Sequence, residues 1–191
     1  MNSTNRKRVV FDDKFQYKDE TIFIQQGRQG AYAEILNSMF EQFDTALNIH
    51  KRILLHRFDL HPTYNTLTNA LLSKFIDRLK KWIGRNYGIR NIGYIWVREQ
   101  ERAKKQHYHL ALFLDGNKVQ HPKKLNAQIK EMWTPYGHMP TIINPYYFVD
   151  KNNQGKRLDA LYRVSYFAKV RGKGYRDSQT KDYSTSRLKI R

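Results

Sequence analysis

Apolar residues recur along this chain with two different periods, and the switches between them mark out the elements. Over residues 31–48, Ala31, Ile35, Phe40, Phe43 and Leu47 fall at roughly helical spacing, which predicts a helix. Residues 51–61, KRILLHRFDLH, read as a strand ending at His61-Pro62. Over 63–84, the positions Leu67, Leu71, Phe75, Leu79 and Trp82 give the clearest amphipathic helix in the chain. Two strands follow, at 92–101 and 107–114, joined by a charged connector and closed by an Asp115-Gly116 turn signal. A helix over 121–133, a strand over 141–149 interrupted by Pro145, and a helix over 158–170 complete the series.

Helices alternating with strands that include a hairpin predict an α+β fold, with a central antiparallel sheet and helices packed on one face. The other face of the sheet is then open for chemistry. The expected organisation is a basic, polar N-terminal arm over 1–30, one domain over 31–172 and a basic, flexible C-terminal tail over 173–191.

Charge adds a partner to this picture. Thirty-five Lys and Arg stand against 17 Asp and Glu in 191 residues, a formal +18 with a pI near 10.0. Such an excess points to a polyanion. Nucleic acid fits better than a membrane surface, because the basic residues run from Arg6 to Arg191 and no apolar stretch approaches the ~20 residues of a membrane span. Thirteen Tyr and ten Phe supply surface for stacking unpaired bases, with Tyr94 and Trp96 among the candidates. The absence of cysteine excludes disulfides, thiolate metal sites and a cysteine nucleophile. The N-terminal stretch lacks the apolar core of a secretory signal, so a cytoplasmic protein is expected.

Two constellations carry candidate chemistry. In the strand HYHLALFL the alternation of side chains puts His107 and His109 on one face and Tyr108, Leu110, Leu112 and Leu114 on the other. A pairing that sets Glu99 opposite His109 would set Glu101 opposite His107, and either carboxylate could complete a two-histidine, one-carboxylate site for Mn²⁺ or Mg²⁺. In LYRVSYFAKV, Tyr162, Tyr166 and Lys169 fall within about 60° of arc on a helix. A phenol can attack a phosphodiester, and with an ordinary pKa of about 10 it needs a nearby cation such as Lys169. Asp59 and His61, which share a strand face with Arg57, read first as strand-end residues that could also line the floor of such a site.

Taken together, KRILLHRFDLH, HYHLALFL preceded by VREQ, and LYRVSYFAKV some 50 residues later resemble the HUH endonuclease superfamily. The pattern is similar to the inovirus-type replication proteins of filamentous phages and prophages, over roughly residues 50–172. The resemblance implies that His107 and His109 bind the metal, with Glu99 as third ligand and Glu101 as the fallback. It implies Tyr166 as the primary nucleophile, Tyr162 as a second tyrosine or a structural neighbour, and Lys169 as a group that orients the phosphate or stabilises the phenolate. The implied activity is nicking and joining of single-stranded DNA at an origin, possibly a hairpin, through a 5′-phosphotyrosine link that initiates rolling-circle replication. A bacterial host's helicase and polymerase would be the partners. A transposase or relaxase of the same chemistry, a silent origin-binding protein and a generic metal-dependent nuclease are the rival expectations.

Overall fold

The chain's longest strand, β5 (Arg52–Pro62), lies inside a mixed-length antiparallel sheet and is apolar on both of its faces. The computed structural model describes residues 8–100, 105–174 and 180–190. Strands β6 (Gly93–Glu99), β7 (His107–Asp115), β8 (Gly137–His138), β9 (Tyr146–Asp150) and β10 (Tyr183–Thr185) share the sheet, in the order β10-β6-β7-β5-β8 with β9 also paired to β5. Earlier in the chain come β1 (Val9–Val10), the hairpin of β2 (Lys14–Tyr17) and β3 (Glu20–Phe23), and β4 (Ala31–Tyr32), which pairs with β1. The described helices are α1 (Ala33–His50), α2 (Ala70–Tyr87), α3 (Lys123–Trp133) and α4 (Gln154–Ser165), and a 3-10 turn, Tyr166–Ala168, continues from α4.

The α+β class with a central antiparallel sheet is as expected; the layering is not. Helices cover both faces. Ile53, Leu55, Ile95, Val97, Ala111 and Phe113 pack against α1 and α4, while Leu54, Phe58, Leu60, Tyr108, Leu110 and Leu112 pack against α2 and α3. The reason is visible in the strands themselves. HLALFL is apolar at every position after His109, and RILLHRFDL carries Ile53 and Leu55 on one face and Leu54, Phe58 and Leu60 on the other, so both faces must be covered. Tyr108 sits in the second core, and its hydroxyl exchanges hydrogen bonds with Gln106 and Asn69.

Both ends expected to be loose are folded where they are described. Phe15, Tyr17, Ile22 and Ile24 are buried, and the Phe15 and Tyr17 rings meet Phe40 of α1 edge-on at 6.2 and 5.4 Å. Arg157 of α4 clamps this hairpin to α1, donating to Glu20 at 2.6 Å and to Asp44 at 2.9 Å. At the other end Tyr183–Thr185, within the supposed tail, forms β10 and pairs with β6 as a strand of the main sheet. Beyond it, Leu188 N–H and Ser186 Oγ both donate to Gln42 Oε1, at 2.8 and 2.7 Å, and tie the chain end to α1.

The last helix also differs from expectation. It stops at Ser165, and Tyr166–Ala168 tightens into the 3-10 turn before Lys169 turns extended, with ψ 140°, to bridge Ala31. Tyr162, Tyr166 and Lys169 therefore do not share one continuous α-helical face.

Candidate metal and tyrosine site

The β6–β7 pairing decides where the carboxylates stand. Its register sets Glu99 opposite His107 and Val97 opposite His109, two residues away from the pairing expected above. Glu99 still points to the face of His107 and His109, because a shift of two preserves the side. Glu101 lies outside the described residues. Glu99 Oε2 lies 3.3 Å from His109 Nε2 and 3.5 Å from His107 Nε2. One ligand atom from each of the three lies within 4.8 Å of the others.

Two further residues complete the surroundings: Asp59, which the sequence ranked low, and Lys173, which it did not single out. On the far side of β7, the β5 pairing sets Asp59 opposite His109, and Asp59 Oδ1 approaches His109 Nδ1 to 2.7 Å. The contact is short but off the line of a well-directed hydrogen bond, and His109 Nε2 is buried with no hydrogen-bond donor or acceptor of good geometry. A carboxylate at Nδ1 holds a histidine so that Nε2 presents its lone pair, the arrangement found behind many metal-bound histidines. Lys173, from the segment expected to be flexible, is fully buried, and its ammonium donates to Glu99 Oε1 at 3.0 Å and to the Lys169 carbonyl at 2.6 Å. Gly172, next to it, adopts φ +81°, and a Cβ there would come within 3.3 Å of the Glu99 Cβ.

Electrostatics follow from this packing. Burial alone would raise the Glu99 carboxyl, but His107, His109 and Lys173 overcome it and hold the group well below the usual carboxylate range. Burial likewise would lower His109; the Asp59 and Glu99 carboxylates on its two sides reverse that and push it up. Asp59, opposed by burial, is lowered by His109 and Arg57. The group is thus a pair of buried carboxylates, Asp59 and Glu99, flanked by two imidazoles and by the Lys169 and Lys173 ammoniums.

The residues fit a divalent ion. Three ligands bound at 2.0–2.2 Å on one side of an ion stand about 3 Å apart, close to the two Glu99–histidine separations found here. An unpartnered buried imidazole nitrogen facing a carboxylate is the donor such an ion would satisfy. The Glu99–His107–His109 group could therefore hold a metal ion.

Tyr166 joins this group and Tyr162 does not. In a 3-10 turn, positions three apart eclipse one another. Lys169 accordingly lies over the Tyr166 ring, its ammonium 4.0 Å from the centroid, and donates to the Tyr166 hydroxyl at 2.6 Å. The same ammonium lies 3.1 Å from Glu99 Oε2. Arg57 stands over both the Tyr166 and Phe167 rings, and Phe167 stacks on His109 at 5.5 Å. Tyr162 instead is 47% exposed and lines a separate shallow depression with Gln25, Tyr147, Asp159 and Arg163. Of the proposed stacking aromatics, Trp96 is buried edge-on to Tyr108 and Tyr94 is half-buried; Tyr64, which the sequence did not single out, is 81% exposed in the loop after β5.

Fold and site define an antiparallel-sheet protein with a buried glutamate–histidine–histidine group beside a lysine-bonded tyrosine. The model of the YagK/YfjJ C-terminal domain family matches residues 13–183, and the chain belongs to that family. The matched span takes in the β2–β3 hairpin and reaches β10, so it follows the folded unit seen here rather than the 31–172 core expected from the sequence. No curated protein and no solved structure matches. Among the described residues, no helix is long and apolar enough to cross a membrane.

Proposed function

We propose that this protein nicks and rejoins single-stranded DNA by metal-assisted transesterification on Tyr166, and that it does so to initiate rolling-circle replication. One observation carries the reading: the Tyr166 hydroxyl and Glu99 Oε2 are held by the same ammonium, that of Lys169, so a nucleophile and a metal-ligand group share one cation. The HUH-like order of motifs in the sequence and the formal +18 support the same conclusion.

A divalent ion, bound by His107, His109 and Glu99, would supply Lewis-acid activation of the scissile phosphate. The chain's own residues do the remainder. Lys169 is placed to stabilise negative charge developing on the Tyr166 oxygen. Arg57, packed on the Tyr166 and Phe167 rings, fixes the ring plane. As the bond from Tyr166 Oη to phosphorus forms, the bond from phosphorus to the 3′ oxygen breaks. The phenolic proton leaves to solvent, and the 3′ oxygen departs as a hydroxyl able to prime synthesis. The 5′ end stays on the protein, and reversal by a 3′ hydroxyl rejoins the strand.

Incubation with Mn²⁺ and single-stranded DNA of the protein's own replicon, followed by a denaturing gel, tests the reading. A covalent protein–DNA adduct that disappears in the His107→Ala/His109→Ala variant is expected. Cleavage that leaves free 5′ phosphates and no adduct would assign a generic nuclease instead.

A further inference from the structure

We infer that a second site, on the opposite side of β5, takes an unpaired nucleobase of the bound single strand. It is a cavity of about 270 Å³ between His56 of β5, Asn126 and Lys130 of α3, and Met139, Pro145 and Tyr146 of the segment entering β9. Of its lining residues, Arg57 alone has a part in the reaction proposed above.

His56 is the informative residue. Its side chain is 1% exposed, yet neither ring nitrogen has a hydrogen-bond partner of good geometry. Asn126 and the Pro145 carbonyl approach the ring off the line of a well-directed hydrogen bond, and that carbonyl also accepts the Arg57 N–H at 2.6 Å. A buried imidazole left unmatched is costly unless something in the cavity pairs with it. A neutral histidine and a half-buried asparagine amide together offer donors and acceptors for reading a base edge. Met139, Pro145 and Tyr146 provide apolar and aromatic walls for the faces of a flat ring. The volume suits one ring system rather than a larger ligand. Lys123 and Lys130 are exposed at the cavity and suit the adjoining phosphodiester.

The position links the cavity to the metal and tyrosine site. β9 pairs with β5 only as far as His56, and β8 resumes the pairing at His61, so the edge of β5 between them carries no strand. His56 and Asp59 point to opposite faces of β5 and lie about 10 Å apart along it at ~3.3 Å per residue. A single strand passing around this edge would leave its scissile phosphate at Tyr166 and seat a nearby base beside His56. The inference rests on the single-stranded DNA reading.

Photo-cross-linking tests it. A single strand carrying 4-thiothymine is irradiated with the full chain, and the cross-linked peptide is read by mass spectrometry. The expected cross-link falls in residues 123–130 or 139–146 and drops at least tenfold in Asn126→Trp, which fills the cavity, and in Tyr146→Ala. A backbone-only strand without bases should bind Asn126→Trp and the unmodified chain alike. Cross-links confined to other segments, or undiminished in both variants, would overturn the inference. The two readings fail separately: adduct formation without a cross-link here removes the base site alone, and a cross-link here without adduct removes the nicking reaction alone.

Discussion

Lys173 and Glu99, 74 residues apart in the chain, meet in the interior with the lysine ammonium 3.0 Å from the carboxylate oxygen. With Lys169 on the other oxygen, Glu99 is satisfied by two cations before any metal arrives. A divalent ion bound at Glu99 must therefore tolerate or displace a lysine. Lys173→Met should bind Mn²⁺ about tenfold more tightly, ~1.4 kcal/mol, because one positive charge facing the ion is gone. Calorimetric titration of Mn²⁺ into both proteins measures the difference, and weaker binding by the variant would contradict the assignment of Glu99 as a ligand.

Asp59 should act through His109. Asp59→Asn removes the charge behind Nδ1 while keeping the shape, and a loss of 10- to 100-fold in Mn²⁺ affinity is expected, as for other groups that orient a metal-bound histidine. Glu99→Gln and His109→Ala should abolish measurable binding. The same titration checks all three, and an Asp59→Asn affinity equal to that of the unmodified chain would show that His109 needs no such support.

Arg157 is a prediction about the fold alone. Its guanidinium is nearly buried and bonded to Glu20 and Asp44, which holds the N-terminal hairpin on α1 and α4. Arg157→Ala leaves two carboxylates facing each other, and since both keep some access to water the expected cost is about 2 kcal/mol. The shift in the urea midpoint measures it. A shift under a few tenths of a kcal/mol would mean that the hairpin docks through Phe15, Tyr17 and Ile22 without the ion pairs.

His56 gives a pH dependence of stability. Burial lowers it to about 4 from an ordinary 6.5, so the unfolded chain binds a proton that the folded chain refuses. The stability is complete above pH 6.5 and declines as pH falls toward 4, by about 3 kcal/mol over the window. His56→Gln should lack this part of the acid loss, so its urea midpoint should fall less steeply between these pH values than that of the unmodified chain. Parallel slopes would place the acid sensitivity elsewhere.

How much of this was legible in the sequence depends on whether the determinant was local. His107 and His109 share a face because a strand alternates, and that needs no tertiary knowledge. Glu99 could be placed on the same face for the same reason, although its true partner, His107, is set by a connector with no turn signal to fix the register. The pairing of Asp59 with His109 depends on β5 lying beside β7, a contact across roughly 50 residues that no local pattern announces. Lys173 and β10 were missed because RGKGYRDSQTKDYSTS has no apolar alternation; a short edge strand held by backbone pairing carries little sequence signal. The N-terminal hairpin was different. KFQY alternates exposed and buried positions with period two, and the abundance of charge around it hid a signal that was present. Helix α4 ends without glycine or proline, its termination set by the bridge of Lys169 to Ala31.

The central claim is that Tyr166 is the nucleophile, and the most direct measurement is the mass of the peptide that carries DNA. The adduct formed with Mn²⁺ and single-stranded DNA of the same replicon is trimmed with nuclease and protease, and the residual nucleotide is located by fragmentation. The geometry predicts a nucleotide phosphate on Tyr166, with adduct lost in Tyr166→Phe and retained in Tyr162→Phe. A nucleotide on Tyr162, or an adduct that survives Tyr166→Phe at full yield, would contradict it.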